Sequence, residues 1–190
     1  MGSARNFFGG KMFQLISTII AALLIAVDQM VKNWAAEVLT KGEIAVIENV
    51  LYFKYTENTG VAFSMFSDNR WVLVVLTSVM LVAVLAFFLS GKVTDKLQQF
   101  SLALILSGGV GNLIDRISLG YVIDFIDVRI INFAIFNIAD ICICVGAFLM
   151  CVAVYLEDRK EKKAKLEKKA EFDEIDKDLE AIFGGEKEHE

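Results

Sequence analysis

Four aspartates lie inside or beside long apolar runs: Asp28, Asp115, Asp124 and Asp140. A carboxylate in or near hydrocarbon is costly, so each needs a partner or a task. Asp28 has Lys32 four residues on, the acid-before-base order that favours an ion pair along one helix, and reads as a structural pair at the helix end. Asp115 stands beside Arg116 and reads as a pair closing its helix. Asp124 and Asp140 have no local cation. Should these two meet, like charges close together cannot both ionise, and one carboxyl keeps a proton. The ionised member can then take a proton from water while the protonated member polarises a carbonyl, which is the chemistry of amide hydrolysis. Paired acids in membranes also carry protons or ions. A small proton-linked transporter is therefore the alternative, and a non-catalytic membrane scaffold that recruits partners through its tail is a third reading.

Composition removes the competing chemistries. The one histidine, His189, is next to the C-terminal residue, so a Ser-His-Asp triad, a Cys-His pair or a His-ligated metal lacks its partner. Cys142, Cys144 and Cys151 share one apolar stretch without the spacing of a zinc site or a disulfide framework. Neither a metal nor another cofactor is expected. No basic patch stands clear of mixed-sign charge and the sequence pI is near 5.0, which argues against nucleic acid as a partner.

The elements that must position these groups are membrane spans. The chain has 190 residues, 56% of them hydrophobic, with 15 Phe and no Pro, and a mean hydropathy of +0.55, too apolar for an ordinary soluble domain. Roughly 20 apolar residues cross a bilayer as a helix, and four segments qualify: about residues 12–31, 71–89, 97–114 and 135–156. The first, preceded by Arg5 and Lys11, reads as a retained anchor, since its apolar run is long and no small-x-small cleavage site follows. Asn6 stands where a myristoylation motif needs Ser or Thr.

Arg5 and Lys11, Lys92 and Lys96, and the cluster from Arg159 to Lys169 flank the spans on one side, which places both termini in the cytoplasm. Every polar residue singled out then belongs to the outer end. A transporter requires polar groups along both halves of the membrane, often in related repeats, and the inner halves carry almost none. Between spans one and two, Ile44, Val46, Leu51, Phe53 and Tyr55 alternate on either side of Glu48-Asn49 as a hairpin would, and Tyr121 to Ile131 offers a further strand. Asp68 and Asp127 fall in outer loops, open to water, and receive no role. The division expected is an N-terminal cytoplasmic segment (1–11), a four-helix membrane domain (12–156) and a charged cytoplasmic tail (157–190) whose nine basic and thirteen acidic residues can extend helix four into water.

Spacing also says which polar groups share a face. Asn112, Asp115 and Arg116 stand at i, i+3 and i+4, and Asn137 and Asp140 at i and i+3. Gly108, Gly109 and Gly111 would let a neighbouring backbone approach closely.

Five segments carry a resemblance: Asp28-x-x-x-Lys32, Asn58-Thr59-Gly60-Val61-Ala62-Phe63, Gly108 to Arg116, Gly120 to Phe125, and Phe136-Asn137-Ile138-Ala139-Asp140. In this order they resemble bacterial lipoprotein signal peptidase (signal peptidase II) over roughly Phe13 to Leu156. The resemblance implies a four-helix aspartic endopeptidase of the cytoplasmic membrane with a small β-cradle on its outer face. Such an enzyme acts without a cofactor and cleaves prolipoproteins before a diacylglyceryl-modified cysteine. Asp124 and Asp140 would be its dyad, Asn112, Arg116 and Asn137 the shell that positions dyad and substrate, and Asn58 and Gly60 the cradle side. Asp28, Lys32 and Asp115 would be framework. The partners implied are diacylglyceryl prolipoproteins and membrane lipids, with the enzyme a monomer.

Overall fold

The computed structural model describes residues 2–60, 70–131 and 133–183, with side chains from Gly10 to Asp178. Val61, Ala62 and Phe63 of the second motif, Asp68 and His189 lie outside the described residues.

Helix α1 spans Gly2–Val38 and passes through a short turn, Leu39–Lys41, into strands β1 (Ile44–Ile47) and β2 (Leu51–Asn58). Helices α2 (Arg70–Leu89) and α3 (Lys96–Ser118) follow, then strand β3 (Val122–Val128) and helix α4 (Ile138–Phe183). All four helices are long and apolar enough to cross a membrane, and the chain is a polytopic membrane protein with a small β region.

The helices outrun several of the spans read off the sequence, and two of the differing boundaries bear on the polar residues. The first helix runs on to Val38, so Asp28 and Lys32 lie inside it rather than at its end. The fourth begins at Ile138, not near residue 135, because Phe136 is taken by the sheet: its carbonyl accepts from Ile126 N at 2.8 Å and its N–H donates to Ile126 O at 3.1 Å. A backbone committed to that bridge cannot turn helical until the next residue, and Asn137 becomes the cap.

The three strands form one antiparallel sheet in the order β1-β2-β3, with Thr56 opposite Asp124 and Asn58 opposite Val122. The β1–β2 turn requires a left-handed residue and places Asn49 there, at φ 61°. The sheet sits on the last turns of α1, where Ala35 and Leu39 pack with Ile123 and Phe125. Trp34 meets Phe53 edge-on, with ring centroids 6.0 Å apart. Each such large apolar side chain removed from water contributes on the order of 1.5–3 kcal/mol.

Among the spans that driving force is absent, since lipid is as apolar as leucine, and close backbone approach takes its place. A Cβ on Gly108 would run into the Ala139 carbonyl, and one on Gly111 would lie 2.7 Å from Asp28 Oδ2. These glycines let α3 press against α1 and the start of α4. Outward, Leu15, Ile19, Leu23, Val75, Val79 and Val82 are exposed, as residues facing acyl chains are.

The chain forms two compact units that meet in sequence at Met150 and Cys151. In the second, α4 continues through Phe183 and carries exposed i, i+4 ion pairs such as Asp158–Lys162, at 2.7 Å.

Candidate active site

Asn137 organises the site by ending one element and starting the next. As N-cap of α4 its Oδ1 accepts from Asp140 N at 2.9 Å, while the Asp140 carboxylate accepts from Asn137 N at 3.2 Å, a reciprocal box that satisfies two otherwise orphaned donors. Asp28 reaches across from α1 to accept from Ala139 N at 2.9 Å. The helix start that carries Asp140 is thus held by three side chains.

The Asn137 amide also donates to Asp124 Oδ1 at 2.6 Å, and Asn58 Nδ2, from the end of β2, donates to Asp124 Oδ2 at 2.9 Å. Asp140 Oδ1 accepts from Asn112 Nδ2 at 2.8 Å. Asp124 and Asp140 are therefore brought together on one asparagine, each with two N–H donors. Asp124 is 2% exposed. Its carboxyl is pushed up to about 6, by burial first and by the charge of Asp140 next, against the hydrogen bonds from Asn58 and Asn137.

Beneath the two acids lies a second network. Lys32 contacts Asp28, Asp115 and the side-chain oxygen Oδ1 of Asn112, each at 2.9 Å. This corrects two readings of the sequence. Asp28 and Lys32 are not a self-contained helix-end pair, since Asp115 shares the lysine. Nor is Asp115 paired with Arg116: successive helical residues point about 100° apart, and Asp115 turns to Lys32, to Gln29 Nε2 at 2.9 Å and to Ile123 N at 3.2 Å. Arg116 turns the other way, donating to Gly60 O at 3.0 Å. Its Nε is buried and has no partner among the described residues. Gly60 N donates in turn to Asn58 Oδ1 at 3.1 Å, so Asn58, Gly60 and Arg116 tie the end of β2 to α3.

Asn137 also departs from expectation, since it precedes the helix face it was assigned to. Asp127 is not a solvated loop residue: it lies in β3, largely buried, 2.8 Å from Arg129 Nε. Gln29, which bridges Asp115 and the Gly111 carbonyl, was missed, although a polar amide beside Asp28 in an apolar run is itself a signal. Among the described residues no three His, Cys, Asp or Glu side chains converge as metal ligands would.

Two cavities open on the site, each lined by Arg116 and Asp140. One, about 430 Å³, runs past Asn58 and Asp124 to Phe133, Phe136 and Val145. The other, about 340 Å³, descends between α2 and α3 past Leu76, Met80 and Ile105. Both are apolar except where they meet the polar cluster, the usual character of a binding site.

The chain is similar to known proteins. Residues 20–156 match the family described as signal peptidase (SPase) II. Lipoprotein signal peptidases of Lactococcus lactis and Clostridium tetani are 40% and 39% identical to the chain, covering 80% and 76% of it and 100% and 96% of themselves. A solved bacterial membrane enzyme, determined by the in meso method, superposes with a TM-score of 0.70 at 31% identity, over 77% of this chain and 91% of that one. The chain is a peptidase-family membrane protein, and the family to which it belongs is signal peptidase II.

Proposed function

We propose that the chain is an aspartic endopeptidase that removes signal peptides from diacylglyceryl-modified prolipoproteins by cutting before the lipidated cysteine. The observation that carries this reading is the joint hold of Asn137 on Asp124 and Asp140 at the junction of two apolar cavities. The ionised carboxyl takes a proton from a water molecule, whose oxygen attacks the scissile carbonyl carbon. The protonated carboxyl gives its proton to the carbonyl oxygen, and a tetrahedral diol forms. Collapse re-forms the carbonyl, breaks the C–N bond and hands a proton to the departing amine, which is the α-amine of the lipidated cysteine. A carboxyl near 6, as Asp124 has, suits alternate duty as acid and base close to neutral pH.

Asn58, Asn112 and Asn137 hold the dyad, and Arg116, with a donor to spare, together with the Gly60 backbone binds substrate. Asp28, Lys32 and Asp115 support them from below. The apolar cavities receive hydrocarbon, and the substrate's lipid remains among membrane lipids. In this reading residues 1–11 and 157–190 are cytoplasmic flanks of the membrane domain 12–156, both termini face the cytoplasm, the site opens near the outer face, and the enzyme acts as a monomer.

Purified protein incubated with a diacylglyceryl prolipoprotein is expected to release the intact signal peptide. Release from the unlipidated precursor at the same rate would remove the proposed specificity, and no release from either would remove the activity. For orientation, a membrane-impermeant thiol reagent should label Glu48→Cys but not Lys92→Cys in intact cells lacking the native cysteines; the reverse pattern would invert the topology.

A further inference from the structure

Lys32 is 1% exposed, and its ammonium has three N–H donors and no acceptor. Two donors go to Asp28 and Asp115, and the third goes to Asn112 Oδ1. That third contact decides an orientation. An amide presents oxygen on one side and NH2 on the other, and an ammonium tolerates only the oxygen. With its oxygen turned to Lys32, and shared with Asn137 Nδ2 at 3.2 Å, Asn112 must present its NH2 to Asp140, where it donates at 2.8 Å.

We propose that Lys32 is a positioning residue for the peptidase reaction: by fixing the Asn112 amide it keeps an N–H donor on Asp140 and so sets where the dyad's shared proton resides. The proposal rests on the aspartic peptidase reading of Asp124 and Asp140. A donor on one carboxylate favours its ionised form, so the proton is directed to the other member. The charged groups facing the pair are few. Helix α1 brings Lys32 with Asp28, α3 brings Arg116 with Asp115, β3 and α4 bring the two acids themselves, and β2 brings neutral Asn58. Arg116 feels both acids at a distance, but it hydrogen-bonds to the backbone carbonyls of Asn112 and Gly60, which leaves Lys32, among the described residues, as the cation wired to the dyad through a single hydrogen-bonded side chain. The positive charge of Lys32 also acts through space to hold the Asp124 carboxyl below where burial alone would take it.

Lys32→Met keeps the length and apolar stem but removes charge and donors. Asn112 is then held only by the longer bond from Asn137 Nδ2 and can turn its oxygen to Asp140, and Asp124 loses a counter-charge, so both changes favour protonated carboxyls. The expected result is a fall in kcat of about a hundredfold with KM little changed, and an acid limb of the pH–rate profile moved to higher pH by about one unit. Infrared titration of the protonated carboxyl band in aspartate-labelled protein should show the same displacement without any substrate, so a failure of the substrate assignment leaves this test standing. Because Lys32 acts chiefly through Asn112 and only weakly through space on Asp124, adding Lys32→Met to Asn112→Ala should cost little more than Asn112→Ala alone.

Lys32→Met leaves Asp28 and Asp115 without their cation, so Lys32→Met/Asp115→Asn, which removes one of the two acids, serves where the single variant does not fold. An unmoved pH profile and infrared titration in a folded variant would overturn the proposal, as would multiplicative losses in the Asn112 background. Failure of both variants to accumulate as folded protein would assign Lys32 to folding alone, and equally overturn it.

Discussion

Two lysines stand four residues after an aspartate and bond to it at nearly the same distance, Lys32 to Asp28 at 2.9 Å and Lys162 to Asp158 at 2.7 Å. The sequence pattern is the same. Lys32 is 1% exposed and serves Asp115 and Asn112 as well, whereas Lys162 is 69% exposed. The difference shows that i, i+4 spacing predicts a contact without predicting its value, which is set by what the surroundings withhold. In water, Lys162 has a ready substitute for its partner and the pair is worth a few tenths of a kcal/mol. Where water is excluded, removing one member strands the others.

The largest expected effect lies above the buried pair. Asp124→Asn and Asp140→Asn should each reduce cleavage by about a thousandfold or more while the protein still inserts, and the double variant should be little worse than either, since the two act as one unit. A dyad variant with near-normal turnover, or an Asp127→Asn variant as inactive as Asp124→Asn, would detach the chemistry from the buried region. Next in size is the comparison itself. Lys32→Met should cost about 3–5 kcal/mol of stability, read by thermal denaturation in detergent, and Lys162→Met less than about 0.5 kcal/mol. Equal losses would abolish the distinction.

A smaller effect tests what burial does to a single carboxyl. Asp124 is held near 6, above its ordinary 3.8. Between those values the folded chain keeps a proton that the unfolded chain has released, so the wild type loses stability as pH rises through that window, and the loss persists above it. Asp124→Asn should therefore be more stable than wild type at pH 8, by about 1–3 kcal/mol, with the advantage gone below pH 4. A constant difference between pH 4 and pH 8 would refute that account. The smallest effect expected is from truncation after Lys163. The tail pairs Asp158–Lys162 and Glu161–Lys165 lie within the tail itself, and cleavage should continue at the full-length rate.

Much of this was legible beforehand for a physical reason. Membrane spans announce themselves by length and hydropathy, the hairpin around Asn49 by alternation, and costly polar residues by their rarity. What spacing could not supply was contact between elements. Helical periodicity made Asp28 and Lys32 neighbours but said nothing of Asp115, which meets them only because Gly111 lets α3 approach. The spacing from Asn137 to Asp140 fits one helix face. The same spacing is that of an N-cap and its third residue, and only the bridge from Phe136 to Ile126 decides between them. The partners of Asp124 were hidden for the same reason, since Asn58 is 66 residues away in sequence and arrives by strand pairing.

The bridge between Ile126 and Phe136 has a consequence for how the chain can vary. It closes a ring over the end of β3 and the loop that follows it, with Asp124 just before the closure and Asp140 just after it. Residues added to or taken from the loop therefore do not lengthen the path joining the two acids, and an insertion there carries only the small entropic penalty of a larger ring. The bridge thus acts as a clamp that insulates the separation of Asp124 and Asp140 from changes of length on that side.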